Sequence, residues 1–292
     1  MISARDLALG LLVILIWSIN IVAIKVIVGE LEPFTAMSLR FVLTTLIFLP
    51  FARWPGRDKV WLIAQIAILL CVLHQGALFW SLVRLDGSTT SILLQLQVIF
   101  SVLAGWLIFK EKIGIRTASG IGLGILGVII LVGMPAVKPA TSGVLGMIVC
   151  TSTLALAYAR MKALKNIAPA TYLVVLHAIA SVPIIGLAFA FESPLAIDWA
   201  QVDMTKFAIV LAYQVTLTSA AHMLWQRLMS RSEMTILPTL TLLVPVMGVF
   251  FSALLLGEKV TPAMLVGGAV TMTGVAIIMI RRRQKKLCVD GD

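Results

Sequence analysis

The chain has 292 residues, of which 60% are hydrophobic and 12% charged, and carries a formal net charge of +10. Soluble domains run at about 45–50% apolar and about 25% charged, so this composition excludes a soluble domain, a disordered chain, a secreted disulfide scaffold and a fibrous repeat. Lipid is the expected solvent, and the basic excess is then first a statement about topology; nucleic acid is not expected as a partner.

A bilayer-crossing helix needs about 20 mostly apolar residues. Ten stretches qualify, roughly 7–28, 34–52, 60–83, 88–109, 117–133, 143–159, 170–191, 207–226, 234–256 and 263–280. They leave only short connections. The first is too long and too polar for a cleaved signal peptide and is expected to remain as a helix. Its Trp17 and Asn20 fall within about 60° on the helical wheel and could contact one ligand together. Lys25, near its end, is expected to snorkel to the interface. In the second span Arg40 could salt-bridge a loop carboxylate or bind a substrate carboxylate.

The third span holds His74, Gln75, Trp80 and Ser81. His74 reads either as a core histidine or as a cavity residue whose ordinary pKa lies near physiological pH. The fourth span is polar on two faces, with Ser88, Ser91 and Gln95 on one and Thr90, Gln97 and Ser101 on the other. One face would line a cavity and the other would bond to neighbouring helices. Gly120 and Gly124 in the fifth span form a small-xxx-small pattern, mirrored by Gly267 and Thr271 in the tenth, and predict close helix packing, with a homodimer interface as the alternative.

His177 stands alone among apolar residues and is expected to be structural. Along the eighth span Gln214, Thr218, His222 and Gln226 recur at i+4, with Tyr213 and Trp225 beside them. Such a stripe should not face lipid; it lines a wet path or bonds to another helix. Pro238 and Pro245 interrupt the ninth span and could hinge a gate. Cys71 and Cys150 lie in spans and Cys288 in the tail, so no disulfide framework is expected.

Seventeen of the 23 basic residues fall on the side of the termini and four on the other, with Lys25 and Arg40 inside spans. The positive-inside rule makes both termini cytoplasmic. The tail reads as a solvated stop-anchor, with contact to anionic lipid as the alternative. No Asp or Glu falls well inside any span, so neither a carboxylate proton relay nor a buried carboxylate Na⁺ site is expected.

Shifted by 147 residues, Phe109-Lys110-Glu111-Lys112-Ile113 faces Leu256-Gly257-Glu258-Lys259-Val260. Gly120/Gly267, Gly127/Gly274, Ser88/Thr235 and Leu93/Leu240 also pair. With small changes of shift, Trp80 meets Trp225, Pro33 meets Pro169 and Lys25 meets Lys162. Each repeat holds five spans, an odd number, so the second enters the membrane upside down. The expected fold is therefore an all-α membrane protein of ten transmembrane helices in two inverted repeats, residues 1–138 and 139–281, followed by a basic cytoplasmic tail, 282–292. Inverted repeats give inward-open and outward-open states of similar energy, a transporter architecture.

These residues resemble the drug/metabolite transporter superfamily, specifically its ten-helix EamA-type exporters. The resemblance rests on Trp17-Ser18-Ile19-Asn20, on Pro33 with Arg40-Phe41, on Glu111 and Glu258, and on Val244-Pro245 with Gly257-Glu258. The first repeat departs from the pattern, with Gln97-Val98 for X-Pro and Lys110 for Gly, so a matching bend in the two fourth helices does not follow. His74-Gln75, Trp80 and the polar fourth helix are most similar to the amino-acid exporters, particularly the aromatic ones.

The expected function is export of amino acids or similar small metabolites by alternating access through a cavity between the repeats. Trp17, Trp80, Tyr213 and Trp225 would pack the solute, and Asn20, His74, Gln75, Gln95, Gln214 and His222 would bond its polar groups. The alternatives are a transporter of drugs, polyamines or nucleotide sugars on the same fold, or an intramembrane enzyme or receptor. No catalytic motif, cofactor-binding loop or metal-ligand spacing is found, so no enzyme activity, cofactor or metal is expected. Uniport and proton antiport both remain open, as do monomer and homodimer.

Overall fold

The computed structural model describes residues 4–133, 140–161, 163–231 and 240–289. The described segments are helices joined by short turns. Nine of these helices are long and apolar enough to cross a membrane, and the shorter apolar helix Leu243–Leu256 adds to them. In chain order we label the spans α1 (Ala4–Glu30), α2 (Pro33–Phe48, extended by the 3-10 turn Leu49–Phe51), α3 (Arg57–Leu82), α4 (Gly87–Phe109), α5 (Ile115–Gly133), α6 (Thr141–Met161), α7 (Pro169–Phe191), α8 (Met204–Tyr213, Gln214–Thr218 and Ser219–Arg231), α9 (Leu243–Leu256) and α10 (Pro262–Val289). The expected start of the ninth span, with Pro238, lies outside the described residues. The backbone of α10 continues as helix through the expected tail to Val289.

Local chemistry fixes several ends. Pro33 and Pro169 open α2 and α7 at positions where a missing N–H costs nothing. Lys110 and Gly257 close α4 and α9 in the left-handed conformation, at φ 55° and 68°. The first repeat thus keeps the same helix stop without the glycine, and a 6→1 bond from the Lys110 N–H to the Gly105 carbonyl, which also accepts from the Glu111 N–H, completes it.

The packing obeys the symmetry that the repeat predicts. Helix α1 packs on α9 and, in the mirror contact, α6 packs on α4; α3 lies on α6 as α8 lies on α1. The pairs α2–α7, α4–α9 and α5–α10 are their own mirror images, which is how residues meet across a two-fold axis. The axis passes through the α5–α10 crossing. A methyl group built on Gly120 would lie 2.8 Å from the Gly274 carbonyl oxygen, and one on Gly267 would lie 2.7 Å from that of Gly127. Gly120 and Gly267 are repeat equivalents, as are Gly127 and Gly274. The small residues are thus used inside the chain, where they let two backbones touch.

Two irregularities also recur. The third span of each repeat contains a π-helical stretch, Ile68–Gln75 in α3 and Gln214–Thr218 in α8. The fourth span of the first repeat breaks at Leu94–Gln95 before Leu96, and in the second repeat a turn at Thr241–Leu242 precedes Leu243. Leu96 and Leu243 are 147 residues apart, the repeat shift. The turns before Leu96 and Leu243 therefore fall at the same point of the two repeats, although only the second carries a proline nearby (Pro245).

Candidate functional site

Between the repeats, the sides of α1 and α8 that face each other carry the first cluster. The Trp17 ring of α1 lies 5.3 Å from the His222 ring and 5.1 Å from that of Trp225, both from α8 and both tilted against it. One helical turn along, the Thr218 hydroxyl meets Asn20 Oδ1 at 3.3 Å, and the Tyr213 hydroxyl donates to the Ile16 carbonyl at 2.6 Å. The polar stripe of α8 therefore faces α1. Gln214 is completely buried within the π-helical stretch, and neither atom of its amide has a hydrogen-bond partner. Trp17 Nε1 is buried and unpartnered as well. His222 and, to a lesser degree, Trp17 and Asn20 keep accessible surface.

A second cluster lies between α2, α3 and α6. His74 Nδ1 is 2.8 Å from the Cys150 carbonyl oxygen of α6. Ser81, on the same face of α3, lies against Gly146 of α6, where a methyl group would strike the Ser81 hydroxyl and Trp80. Gln75 accepts a hydrogen bond at 3.0 Å from Arg40 Nη1 of α2. The clusters are neighbours: His222 lies within electrostatic reach of His74, His177 and Arg40. His177 is buried, with its ring edge on Phe41 at 4.9 Å, in keeping with a packing role.

The imidazoles share one feature. Nδ1 of His74, His177 and His222 each faces a backbone carbonyl oxygen, at 2.8, 2.8 and 2.7 Å. A carbonyl only accepts, so Nδ1 carries the proton and Nε2 of the neutral ring is an acceptor. Among the described residues no group of His, Cys, Asp or Glu side chains is arranged to hold a metal ion.

Of the two polar faces of the fourth span, the one with Ser88 and Ser91 is turned to the second repeat. Ser88 and Ser91 face α9: the Ser88 hydroxyl donates to Glu258 at 2.6 Å, and Ser91 lies against Gly248. Gln95, at the break, is buried with Nε2 unpartnered. Pro245 is buried in the first turn of α9, beside Val244, whose carbonyl accepts from Ser18 of α1 at 3.4 Å.

Trp80 reaches only the edge of the second cluster, at Gly146. It sits at the face away from the termini, under the Arg84 guanidinium at 3.7 Å. There, with Glu30, Glu32, Phe34, Arg84 and Glu192, it lines a cleft of about 480 Å³. Its repeat equivalent Trp225 lies against Trp17, so inversion sends the two indoles to different surroundings.

Carboxylates unremarkable as isolated loop residues tie this distal face together. Glu192, at the end of α7, accepts from the N–H groups of Phe34 and Thr35 and from the Thr35 hydroxyl, all at 2.7 Å. Glu258, after α9, accepts from the N–H groups of Gly87 and Ser88 at 2.7 and 2.9 Å and from the Ser88 hydroxyl. Each carboxylate of the second repeat thus caps a helix N-terminus of the first, where the macrodipole favours negative charge. Glu30 bridges Lys206 at 3.0 Å. Lys25 does not snorkel into lipid. It donates to the Leu82 and Leu85 carbonyls at 2.7 and 2.9 Å and so caps the C-terminus of α3.

Residues 5–133 and 141–280 each match the model of the EamA-like transporter family. A protein of Escherichia coli (strain K12) named probable amino-acid metabolite efflux pump is 27% identical, with 97% of this chain and 98% of that one aligned. Its namesake in Salmonella typhimurium (strain LT2) is 28% identical over 94% and 95% of the two chains. A solved crystal structure superposes with a TM-score of 0.67 at 16% identity, covering 97% of this chain and 99% of its own, and so shares the fold.

Proposed function

The chain belongs to the EamA-like transporter family, and from that premise we propose that it exports amino acids or closely related small metabolites by alternating access through a cavity between its two repeats. The observation that carries this reading is the matched pair of irregularities, a π-helical stretch in α3 and α8 and a turn at Leu94–Gln95 of α4 with its counterpart at Thr241–Leu242 before α9. Helix interruptions at corresponding positions of two inverted halves free backbone groups for a ligand and mark a transport site. The names of the two bacterial relatives support an amino-acid metabolite as solute.

In this reading Trp17, Tyr213 and Trp225 pack the solute's side chain. Asn20, His74, Gln75, Gln95, Gln214 and His222 supply its polar contacts, and the Nε2 lone pairs of neutral His74 and His222 accept from its ammonium group. Trp80 acts at the distal cleft, on the path rather than in the central cavity, and Pro245 limits the hinge of α9. Residues 1–138 and 139–281 are the moving halves. The basic side is cytoplasmic, both termini lie there, residues 282–292 form the tail, and the host membrane is the cell's inner membrane. A polyamine cargo is disfavoured by the basic centre.

Counterflow in proteoliposomes with an amino-acid panel, run with and without a pH gradient, tests the reading. Saturable uptake of one or more amino acids is expected, and its dependence on the gradient separates antiport from uniport. No saturable movement of any amino acid would sink the substrate assignment.

A further inference from the structure

Arg40 is 4% exposed, two turns into α2 from Pro33. Nη1 donates to the neutral Gln75 amide oxygen, and Nε has no hydrogen-bond partner. The phenyl rings of Phe41 and Phe79 lie 6.0 Å from the guanidinium carbon, and Gln75 leans on Cys71 at 3.9 Å. No described carboxylate pairs with Arg40: the salt bridge found among the described residues is that of Lys206 with Glu30 at the distal face. His74, His177 and His222 surround the same region and bring no negative charge.

An arginine is always charged, and a buried charge without a counter-ion costs several kcal/mol. Here the fold supplies one neutral acceptor and leaves the rest of the fork unmatched. A guanidinium matches a planar carboxylate better than any other group, through two parallel hydrogen bonds. Gln75 and His74 are only half-buried, so accessible space adjoins the Gln75 side of the fork.

We propose that Arg40 is the anion-binding residue of the transport site and pairs with the carboxylate of the transported solute, Gln75 steadying the guanidinium between transport events. The inference rests on the reading of the centre as an amino-acid site and adds a requirement: the solute carries a free carboxylate. Amides and decarboxylated amines of the same side chain are discriminated against.

The test is competition in proteoliposome counterflow between an amino acid the protein moves, its α-carboxamide and the corresponding amine. Wild type is expected to prefer the free acid by about tenfold or more, because a site built around a polar group rejects analogues that lack its partner. Two variants remove the preference by opposite routes. Arg40→Gln removes the cation, whereas Gln75→Glu keeps it and places a carboxylate against it. Because Gln75→Glu pairs the buried charge, it decides the matter even if Arg40→Gln does not give a monodisperse protein. Both are expected to bring acid and amide to within about twofold of one another. A wild type that moves the amide as well as the acid overturns the role of Arg40 and leaves amino-acid export standing, as does a Gln75→Glu variant with undiminished preference. A wild type that moves neither acid, amide nor amine overturns the export reading and this proposal with it.

Discussion

Lys110 holds a left-handed backbone conformation that its repeat counterpart Gly257 adopts without a Cβ penalty. For an L-residue that conformation costs roughly 1–2 kcal/mol, partly offset in a glycine variant by greater unfolded-state entropy. Lys110→Gly is therefore expected to stabilise the protein by up to about 1 kcal/mol, read as a higher thermal midpoint in detergent. Among the residues proposed to line the cavity, His74 and His222 are each held through Nδ1 with Nε2 free to accept. Replacing either by Ala is expected to lower amino-acid flux and alter its pH profile. Wild-type profiles in both variants would remove the imidazoles from the site. Contacts of this sort were only partly legible beforehand. The i+4 spacing of Thr218 and His222 placed them on one face, and the structure turns that face toward Trp17. Nothing in the sequence places Arg40 beside an amide and away from every described carboxylate, because that depends on which loops approach which helices.

The α5–α10 crossing separates glycines that the sequence treats alike. Gly127 and Gly274 meet backbone of the opposite helix, whereas Gly122, in the same helix as Gly127, has nothing within 4 Å of a built methyl group. Gly127→Ala is expected to destabilise by about 1–3 kcal/mol through overpacking. Gly122→Ala is expected to be neutral or mildly stabilising, as alanine is the better helix former. Parallel thermal unfolding of the two variants checks the contrast, and equal effects would contradict the crossing. The spans themselves were readable from apolar runs, with described ends within about five residues except that α10 runs on to Val289, nine residues past the expected 280. The π-helical stretches and the break at Leu94–Gln95 were not. No proline or glycine marks Leu94–Gln95, and a π-turn differs from an α-turn by one residue's register rather than by composition. These features come from packing between the repeats, which single-helix periodicity does not contain.

At the scale of the whole molecule, Glu192 and Glu258 join the second repeat to the first across the distal face. Under the proposed alternation both sets of hydrogen bonds break when that face opens. Glu192→Gln and Glu258→Gln keep the size and lose the charge, so each is expected to favour the distal-open state by about 1 kcal/mol or more. The measurement is labelling of cysteines introduced along the distal cleft, which should become faster in the double variant; an unchanged rate would show that the carboxylates do not hold the face closed. The inverted topology was legible from the odd number of spans and the opposite placement of Lys110-Glu111 and Glu258-Lys259. The clamps were not, since Glu192 lies 157 residues from the hydroxyl it accepts from.

The glycine crossing of α5 and α10 also bears on motion. Because the pseudo-two-fold axis runs through it, exchanging the roles of the two halves leaves that point where it was. Under the proposed alternation it is the pivot, and displacement grows with distance from it. A covalent tether between α5 and α10 near Gly127 and Gly267 should therefore leave transport running, while a tether of the same length between the repeats at the distal face, from Glu30 to Lys206, should stop it.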